Sequence, residues 1–239
     1  MKLNTPPSQT GALDSKADVE VEEDKLVEDA LQMYRSSLDE ILELPVEQGT
    51  NYYLRKNLVS LSPEQVDMLL QRLIREDANV RQDLGMSVIS SYVSALIQKS
   101  YEAGHNGFTL HTHNVPLDYL CAHLEGASDN PLQVAIKGDV GNVIGSYNLW
   151  CTIDHDGSGG NYYLYSSKFC EAFVAGTVGK SPLDCALHSV IRTTNEKTFR
   201  EVKDHLKGLH YYREREILLV DSEGTVLKSY SNTDKGKGP

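Results

Sequence analysis

The sequence has few cysteines, no long apolar run and a shortage of basic side chains, and each shortage excludes a class of protein. Its 239 residues include four cysteines, too few for the disulfide framework of a small secreted domain. No stretch approaches the roughly 18 consecutive apolar residues of a membrane-spanning helix, and the N-terminal residues lack the apolar run of a signal peptide. Lys and Arg total 23 against 34 Asp and Glu, a net charge of -11, which argues against a protein that coats nucleic acid or an anionic membrane. We therefore expect a soluble, cytoplasmic protein with neither nucleic acid nor membrane as a partner.

The first third of the chain predicts helices. Residues 18–44 hold ten acidic residues, and their apolar residues recur at alternating spacings of four and three, as in an amphipathic helix. Residues 62–65 (Ser-Pro-Glu-Gln) have the composition of a capping box, so a second helix is expected to begin there. A third helix is expected over residues 80–103. With residues 1–17 as a flexible tail, residues 18–104 are predicted to form a small helical bundle.

After residue 104 glycines become frequent, and a nineteen-residue repeat emerges. Three successive lines cover residues 134–152, 153–171 and 172–190. Three columns of the repeat keep a residue type from line to line: Gly138, Gly157 and Gly176; Gly141, Gly160 and Gly179; Cys151 and Cys170. A fixed period of this length is typical of stacked repeats, with equivalent residues about 4.8 Å apart. We expect glycine to recur where each coil turns, because a left-handed backbone suits a residue without a Cβ atom.

The predicted fold class is therefore α+β. An N-terminal helical bundle is followed by a short parallel β-helix, a β-solenoid of period 19, over residues 105–193. Residues 194–230 are expected to cap the open end with a helix and a β-hairpin, because an uncovered terminal coil presents an unpaired edge. Residues 231–239 are polar and are predicted to be a flexible tail.

The glycine-rich lines resemble the right-handed β-helix domain at the C-terminal end of the glutamate synthase large subunit and a subunit of formylmethanofuran dehydrogenase. The matching segments are residues 137–145, 156–161 and 175–179. With the helix that follows, they are also similar to small archaeal-type prokaryotic proteins that carry these repeats. The resemblance covers roughly residues 105–230 and implies a β-helix. In glutamate synthase that domain is a spacer and assembly element, so the resemblance implies a structural role.

One group of side chains is a candidate metal site: His111, His113, Cys121 and His123. A strand would place His111 and His113 on one face, and a Cys-x-His pair would do the same, which suits tetrahedral zinc. The spacing matches no recognised zinc motif, however, and histidines near a loop are more often hydrogen-bonded into a turn. No cofactor is therefore expected, and zinc stays open as an alternative.

The regular repeat favours a non-enzymatic structural or interaction protein, because catalytic sites normally break such regularity. The acidic helix is expected to dock a protein partner or a second copy of the chain. Two alternatives remain: a zinc-binding protein or subunit of a redox or amidotransferase-type complex that uses the His/Cys group, and a carbohydrate-binding solenoid. The thirteen tyrosines are expected to pack against the capping elements rather than to form a surface for a partner or a sugar.

Overall fold

Four helices precede the strands. The computed structural model describes residues 11–41, 43, 45, 48–77, 85–209 and 214–232, with backbone alone for residues 11–24, 77 and 85–86. The helices are α1 (Gly11–Ile41), α2 (Gly49–Leu54), α3 (Pro63–Asp77) and α4 (Gly85–Glu102). Helix α1 begins inside the segment predicted as a tail, and α2 has no counterpart in the predicted elements. The start predicted for the third helix at residue 80 lies outside the described residues.

The apolar stripe of α1 is buried inside the protein. Leu31 and Tyr34 are almost fully buried, and the Tyr34 ring lies 5.4 Å from that of Tyr92 on α4. Tyr92 also donates its hydroxyl hydrogen to the carbonyl oxygen of Ala30, at 2.6 Å. The apolar stripe of α1 therefore packs against the protein's own helices.

Helix α3 has the predicted capping box. The N–H of Gln65 donates to Ser62 Oγ at 3.3 Å, and the N–H of Ser62 donates to Gln65 Oε1 at 2.8 Å. Two of the backbone donors at the helix start are satisfied in this way. The helix then packs beside the first strand of the sheet, so its position determines how that edge of the sheet is covered.

Seven strands form one sheet in chain order. They are β1 (Gly107–His111), β2 (Leu132–Lys137), β3 (Cys151–Asp156), β4 (Glu171–Val174), β5 (Ser189–Thr193), β6 (Arg215–Val220) and β7 (Val226–Ser231). Strands β1 to β6 are parallel, and β7 is antiparallel to β6. The register follows the repeat, because Val134 pairs with Ile153, Ile153 with Ala172, and Ala172 with Ile191. This column of apolar residues forms the buried face of the sheet.

The predicted fold class is wrong. A β-helix has strands on several sides of each coil and therefore several sheets, whereas the described strands form a single seven-stranded mixed sheet. Three segments, which we call the return segments, connect one parallel strand to the next: residues 138–150, 157–170 and 175–188. They consist of turns and are joined to one another by single bridges. The helices do not form a separate bundle either, since their buried residues belong to the same core as those of the sheet. A repeat period specifies the length of a unit but not how many of its residues are extended.

The glycine columns have a different physical basis from the one predicted. Of the six repeat glycines only Gly138 has a left-handed backbone, with φ of 105°, while large residues such as Tyr147 hold left-handed positions in the return segments. The glycines are required by close approach of neighbouring lines. A Cβ atom on Gly157 would lie 2.6 Å from the carbonyl carbon of Gly138, and one on Gly160 would lie 2.8 Å from the Gly141 oxygen. Each glycine therefore lets one line pack on the backbone of the next.

Side chains beside the glycines connect the lines further. Asn142 Oδ1 accepts the N–H of Asn161 at 2.9 Å, and Asn161 Oδ1 accepts the N–H of Lys180 at 2.7 Å. A second ladder of the same kind joins Asp139, Ser158 and Thr177. These bonds satisfy backbone donors of the turns, which have no partner strand. The return segments are therefore fixed line by line although they are not extended.

Helix α5 (Glu196–Gly208) follows β5 and precedes β6 in the chain, which confirms the helix predicted after Thr194. Its cap is Asn195, whose side chain accepts the N–H groups of Lys197 and Thr198. Phe199 and Val202 are buried on its inner side. Strands β6 and β7 form the predicted hairpin, and the last seven residues of the chain lie outside the described part.

Candidate binding surface

Trp150, Phe169 and His188 form a column of parallel rings on the return segments. The ring centroids of Trp150 and Phe169 are 4.3 Å apart with planes inclined by 8°, and those of Phe169 and His188 are 4.9 Å apart with planes inclined by 5°. We call these three residues the ring column. Its members occupy the same place in the three lines of the repeat. That shared place is the sequence signal from which the column could have been predicted.

The backbone of the return segments holds the ring column in place. Trp150, Phe169 and His188 have φ values of 52°, 53° and 49°. A left-handed conformation costs a residue with a side chain about 1–2 kcal/mol, so the surrounding structure has to stabilise it. Bonds between neighbouring lines do so, because Trp150 N–H donates to Lys168 O at 3.1 Å and Phe169 N–H donates to Leu187 O at 2.9 Å.

The stacking of the ring column determines what it offers to a ligand. The inner faces of the rings lie against one another, and such stacking contributes about 0.5–1.5 kcal/mol per pair beyond area burial. The edges of the rings face solvent, and Phe169 is 37% exposed. At one end His188 Nδ1 lies 2.7 Å from Glu214 Oε2, which orients the imidazole. The column is therefore a rigid apolar ridge with a polar end.

Four more rings form a second group, which we call the tyrosine cluster: His123, Tyr147, Tyr162 and Tyr165. His123 stacks on Tyr147 with centroids 4.8 Å apart. Tyr165 meets Tyr147 and Tyr162 edge to face, at 5.6 and 5.9 Å. Tyr147 is 42% exposed and Tyr162 is 45% exposed. The prediction that the tyrosines pack against capping elements is therefore wrong for these two residues.

His111, one of the four candidate zinc ligands, connects α3 to the sheet. Its N–H donates to Asp67 Oδ1 at 2.8 Å, and its ring Nδ1 lies 2.9 Å from Asp67 Oδ2. Gln71 also donates its side-chain N–H to the carbonyl oxygen of His111. The sequence around His111 does not predict this contact, because Asp67 precedes His111 by more than forty residues.

The other three candidate zinc ligands have separate environments. His113 is exposed, His123 stacks on Tyr147, and Cys121 is buried. Burial raises the pKa of the Cys121 thiol to about 12, so the sulfur stays protonated at neutral pH. Across the described residues, His, Cys, Asp and Glu side chains do not come together in any group of three or more that would hold a metal ion.

Cys151 and Cys170 lie buried in neighbouring lines as free thiols. Both donate to backbone oxygens, Cys151 to Leu149 O at 3.3 Å and Cys170 to Lys168 O at 3.2 Å. The hydrogen bond to Cys170, together with burial, raises the pKa of Cys151 far above its usual range. A protonated buried thiol behaves as a small apolar side chain, which agrees with its position in the core.

His155 forms a polar pair with Tyr163 inside the protein. Both side chains are fully buried, and the rings lie parallel within 10°. His155 Nε2 lies 3.0 Å from Gly138 O, and its Nδ1 lies 3.3 Å from the Tyr163 hydroxyl. A carbonyl oxygen accepts only, so Nε2 carries the hydrogen and Nδ1 accepts from the tyrosine. Burial lowers the pKa of His155, which keeps the ring neutral.

A groove of about 770 Å³ lies between α5 and the turn that contains Lys180. Its lining includes Lys180, Glu201, Asp204 and His205. His205 Nε2 lies 2.9 Å from Asp184 Oδ1, so this pair is already formed within the protein. Glu201 and Asp204 pair with Lys197 and Lys207 of the same helix, at 3.8 and 2.8 Å.

Comparisons with known proteins provide no family for this chain. A scan against protein-family models, a search of curated proteins and a search of solved structures each returned no match. None of the helices in the described ranges is long and apolar enough to span a bilayer. The exposed aromatic residues of the return segments are therefore the feature on which a functional proposal is based.

Proposed function

We propose that this chain is a non-enzymatic interaction protein that binds a protein partner through the ring column and the tyrosine cluster. One observation supports the proposal above all: Tyr147, Tyr162 and Phe169 are 42%, 45% and 37% exposed on a backbone fixed by bonds between lines. Aromatic residues are enriched in protein interfaces, where they bury large areas with little loss of side-chain freedom. A rigid backbone lowers the entropic cost of binding further.

The stacking favours a protein over a carbohydrate as the ligand. A sugar packs its C–H groups against the face of an aromatic ring, and in the ring column the faces of Phe169 are occupied by Trp150 and His188. The edge of Phe169 and parts of Tyr147 and Tyr162 remain exposed. These groups suit apolar side chains and backbone carbonyl oxygens of a polypeptide.

The cysteines support a cytoplasmic location. The four cysteines of the chain are free thiols in the structure, which suits a compartment that keeps thiols reduced. The contact of His111 with Asp67 supports a structural role for His111, and the proposal assigns no metal to the protein.

Site-specific photo-crosslinking in cells tests the proposal. A photo-reactive phenylalanine analogue replaces Phe169 or Tyr162 in the full chain, and a control carries it at Lys197, whose side chain is 66% exposed on α5. We expect the same partner protein to be crosslinked from positions 169 and 162 and not from position 197. An identical pattern from all three positions, or no crosslinked protein at any of them, would contradict the proposal.

Binding of the purified partner then measures the contribution of the aromatic residues. We expect Phe169→Ser and Tyr162→Ser each to weaken binding by tenfold or more, because interface aromatic residues typically contribute at least about 1.4 kcal/mol. Lys197→Ser is the matched control and should leave the affinity unchanged. Unchanged affinity in both aromatic variants would show that the partner binds elsewhere.

A further inference from the structure

The two edges of the sheet are treated differently. At the β1 edge, Asp67 and Gln71 of α3 bond to both backbone groups of His111. At the other edge β7 is exposed along nearly its whole length, with Val226 at 48% and Leu227 at 60%. Within the described part of the chain, β7 pairs with β6 alone. An exposed edge strand of this kind is a template for a further strand.

The backbone groups that point outward from β7 follow from its pairing with β6. Asn232 donates its N–H to Arg215 O at 2.9 Å, and Asn232 and Arg215 continue the register in which Ser231 pairs with Glu216. In an antiparallel pair, alternate residues direct their N–H and C=O groups at the partner strand. Ser229 and Ser231 therefore direct theirs away from β6, while Leu227 lies at the register shift between Leu219 and Val220, where the alternation is interrupted.

We propose that β7 pairs antiparallel with β7 of a second copy of this chain, around a two-fold axis at Ser229. The inference is independent of the aromatic surface. In this arrangement Ser229 pairs with its own symmetry mate, so its outward N–H and C=O bond to those of the second copy, and Leu227 lies opposite Ser231 of the second copy. The two sheets become one sheet that continues across the axis.

Charge disfavours one neighbouring register. A two-fold axis at Lys228 would place two lysines directly opposite each other, which is destabilising in a sheet. With the axis at Ser229, Lys228 faces Tyr230 of the second copy. Lys228 also stays paired with its own Glu196, at 2.6 Å.

Charge also favours a second copy at this edge over one elsewhere. Residues 18–44 hold ten acidic residues against Lys25 and Arg35. All of these acidic residues except Glu43 belong to α1, which packs on α3, and α3 packs on β1. Strand β7 is six strand spacings from β1, or about 29 Å at ~4.8 Å per strand, well beyond the ~8 Å screening length at physiological salt. Pairing through β7 places the two acidic helices at opposite ends of the dimer.

Sedimentation equilibrium of the full chain tests the dimer. We expect the wild-type protein to approach twice its 26.6 kDa mass as concentration rises. Ser229→Pro removes an outward N–H while leaving the bonds to β6, because proline is tolerated where the N–H of an edge strand faces solvent. The variant should remain a monomer at concentrations where the wild type is a dimer.

A matched control and a second variant distinguish loss of pairing from loss of folding. Ser222→Pro places proline at the second position of the β6–β7 turn, where it is favoured, and should leave the dimer intact. In a Cys185→Ser background, which removes the exposed cysteine, Ser229→Cys should give a disulfide-linked dimer under mild oxidation. A wild-type protein that stays monomeric overturns the proposal. So does a dimer that neither responds to Ser229→Pro nor crosslinks through position 229.

Discussion

Gly176 lies directly against the carbonyl group of Gly157 in the neighbouring line. Its N–H donates to the Gly157 oxygen at 2.9 Å, and a Cβ atom on Gly176 would lie 2.5 Å from the same oxygen. Because the obstructing atom belongs to the backbone, it has no rotamer through which to move away. The absence of a side chain at this position is therefore part of how consecutive lines stack.

Gly176→Ala should destabilise the protein by about 1–3 kcal/mol, the usual cost of forcing extra atoms into a packed site. The control is Gly107→Ala in β1, where a Cβ atom would meet nothing within 4 Å. That change should alter the free energy of unfolding by less than about 1 kcal/mol. Chemical denaturation of both variants measures the difference. Equal effects of the two substitutions would show that line contact does not explain the glycine columns.

His155 should make stability depend on pH. Its pKa is below the ordinary value of 6.5 because the ring is buried, so the unfolded chain takes up the proton at a higher pH than the folded one. The stabilising contribution is therefore complete above pH 6.5 and is lost as the pH falls toward the folded-state pKa, by up to about 1.4 kcal/mol per pH unit. Urea denaturation between pH 7.5 and 5 follows this loss.

His155→Gln should flatten that pH dependence, because glutamine does not titrate and retains an N–H for Gly138 O. The control is His113→Gln, which changes an exposed imidazole and should keep the slope assigned to His155. An unaltered slope in His155→Gln would assign the pH dependence to other groups.

Asn161→Ala should weaken the side-chain ladder locally. The substitution removes the acceptor for Lys180 N–H, at 2.7 Å in the protein, and a hydrogen bond of this kind contributes about 0.5–1.5 kcal/mol. Hydrogen exchange of the Lys180 amide should accelerate more than that of residues in β2. The exposed Asn51 on α2 offers a control, Asn51→Ala, in which the Lys180 amide should exchange at the wild-type rate.

Phe169→Leu should disorder the ring column without unfolding the protein. Trp150 is the one tryptophan of the chain, so its near-ultraviolet circular dichroism reports on the stacking. We expect that signal to fall and the stability to drop by about 0.5–1.5 kcal/mol, the value of an aromatic pair. Phe173→Leu, at a half-buried site in β4, should leave the tryptophan signal intact. Retention of the signal in Phe169→Leu would mean that the stack does not order Trp150.

The repeat made the register of the strands predictable. It did not make the number of sheets predictable. Val134, Ile153 and Ala172 share one column because a fixed period places them together whatever the chain does between them. The return segments depend on left-handed residues such as Tyr147 and Leu164, with φ of 58° and 54°. No local propensity favours that conformation for tyrosine or leucine. It is stabilised by bonds to neighbouring lines, which the sequence of one line does not reveal.

The candidate surface was predictable to the same limited extent. Trp150, Phe169 and His188 are aligned by the period, so their proximity follows from the sequence once the lines stack. The pairing of His111 with Asp67 depends on how α3 crosses the edge of the sheet. A contact between a helix and a strand far apart in the chain leaves no spacing pattern in the sequence. His111 was therefore assigned to a group with His113, Cys121 and His123 instead of with Asp67.

The identity of chain order and sheet order has a consequence for how this protein can evolve. A tandem duplication of nineteen residues would insert one strand between existing neighbours without rerouting any connection. The new strand would meet the same apolar column and the same glycine contacts as its parent, and the ring column would gain one member. Natural variants of this architecture should therefore differ in length by whole lines, with the helical cap and the terminal hairpin unchanged.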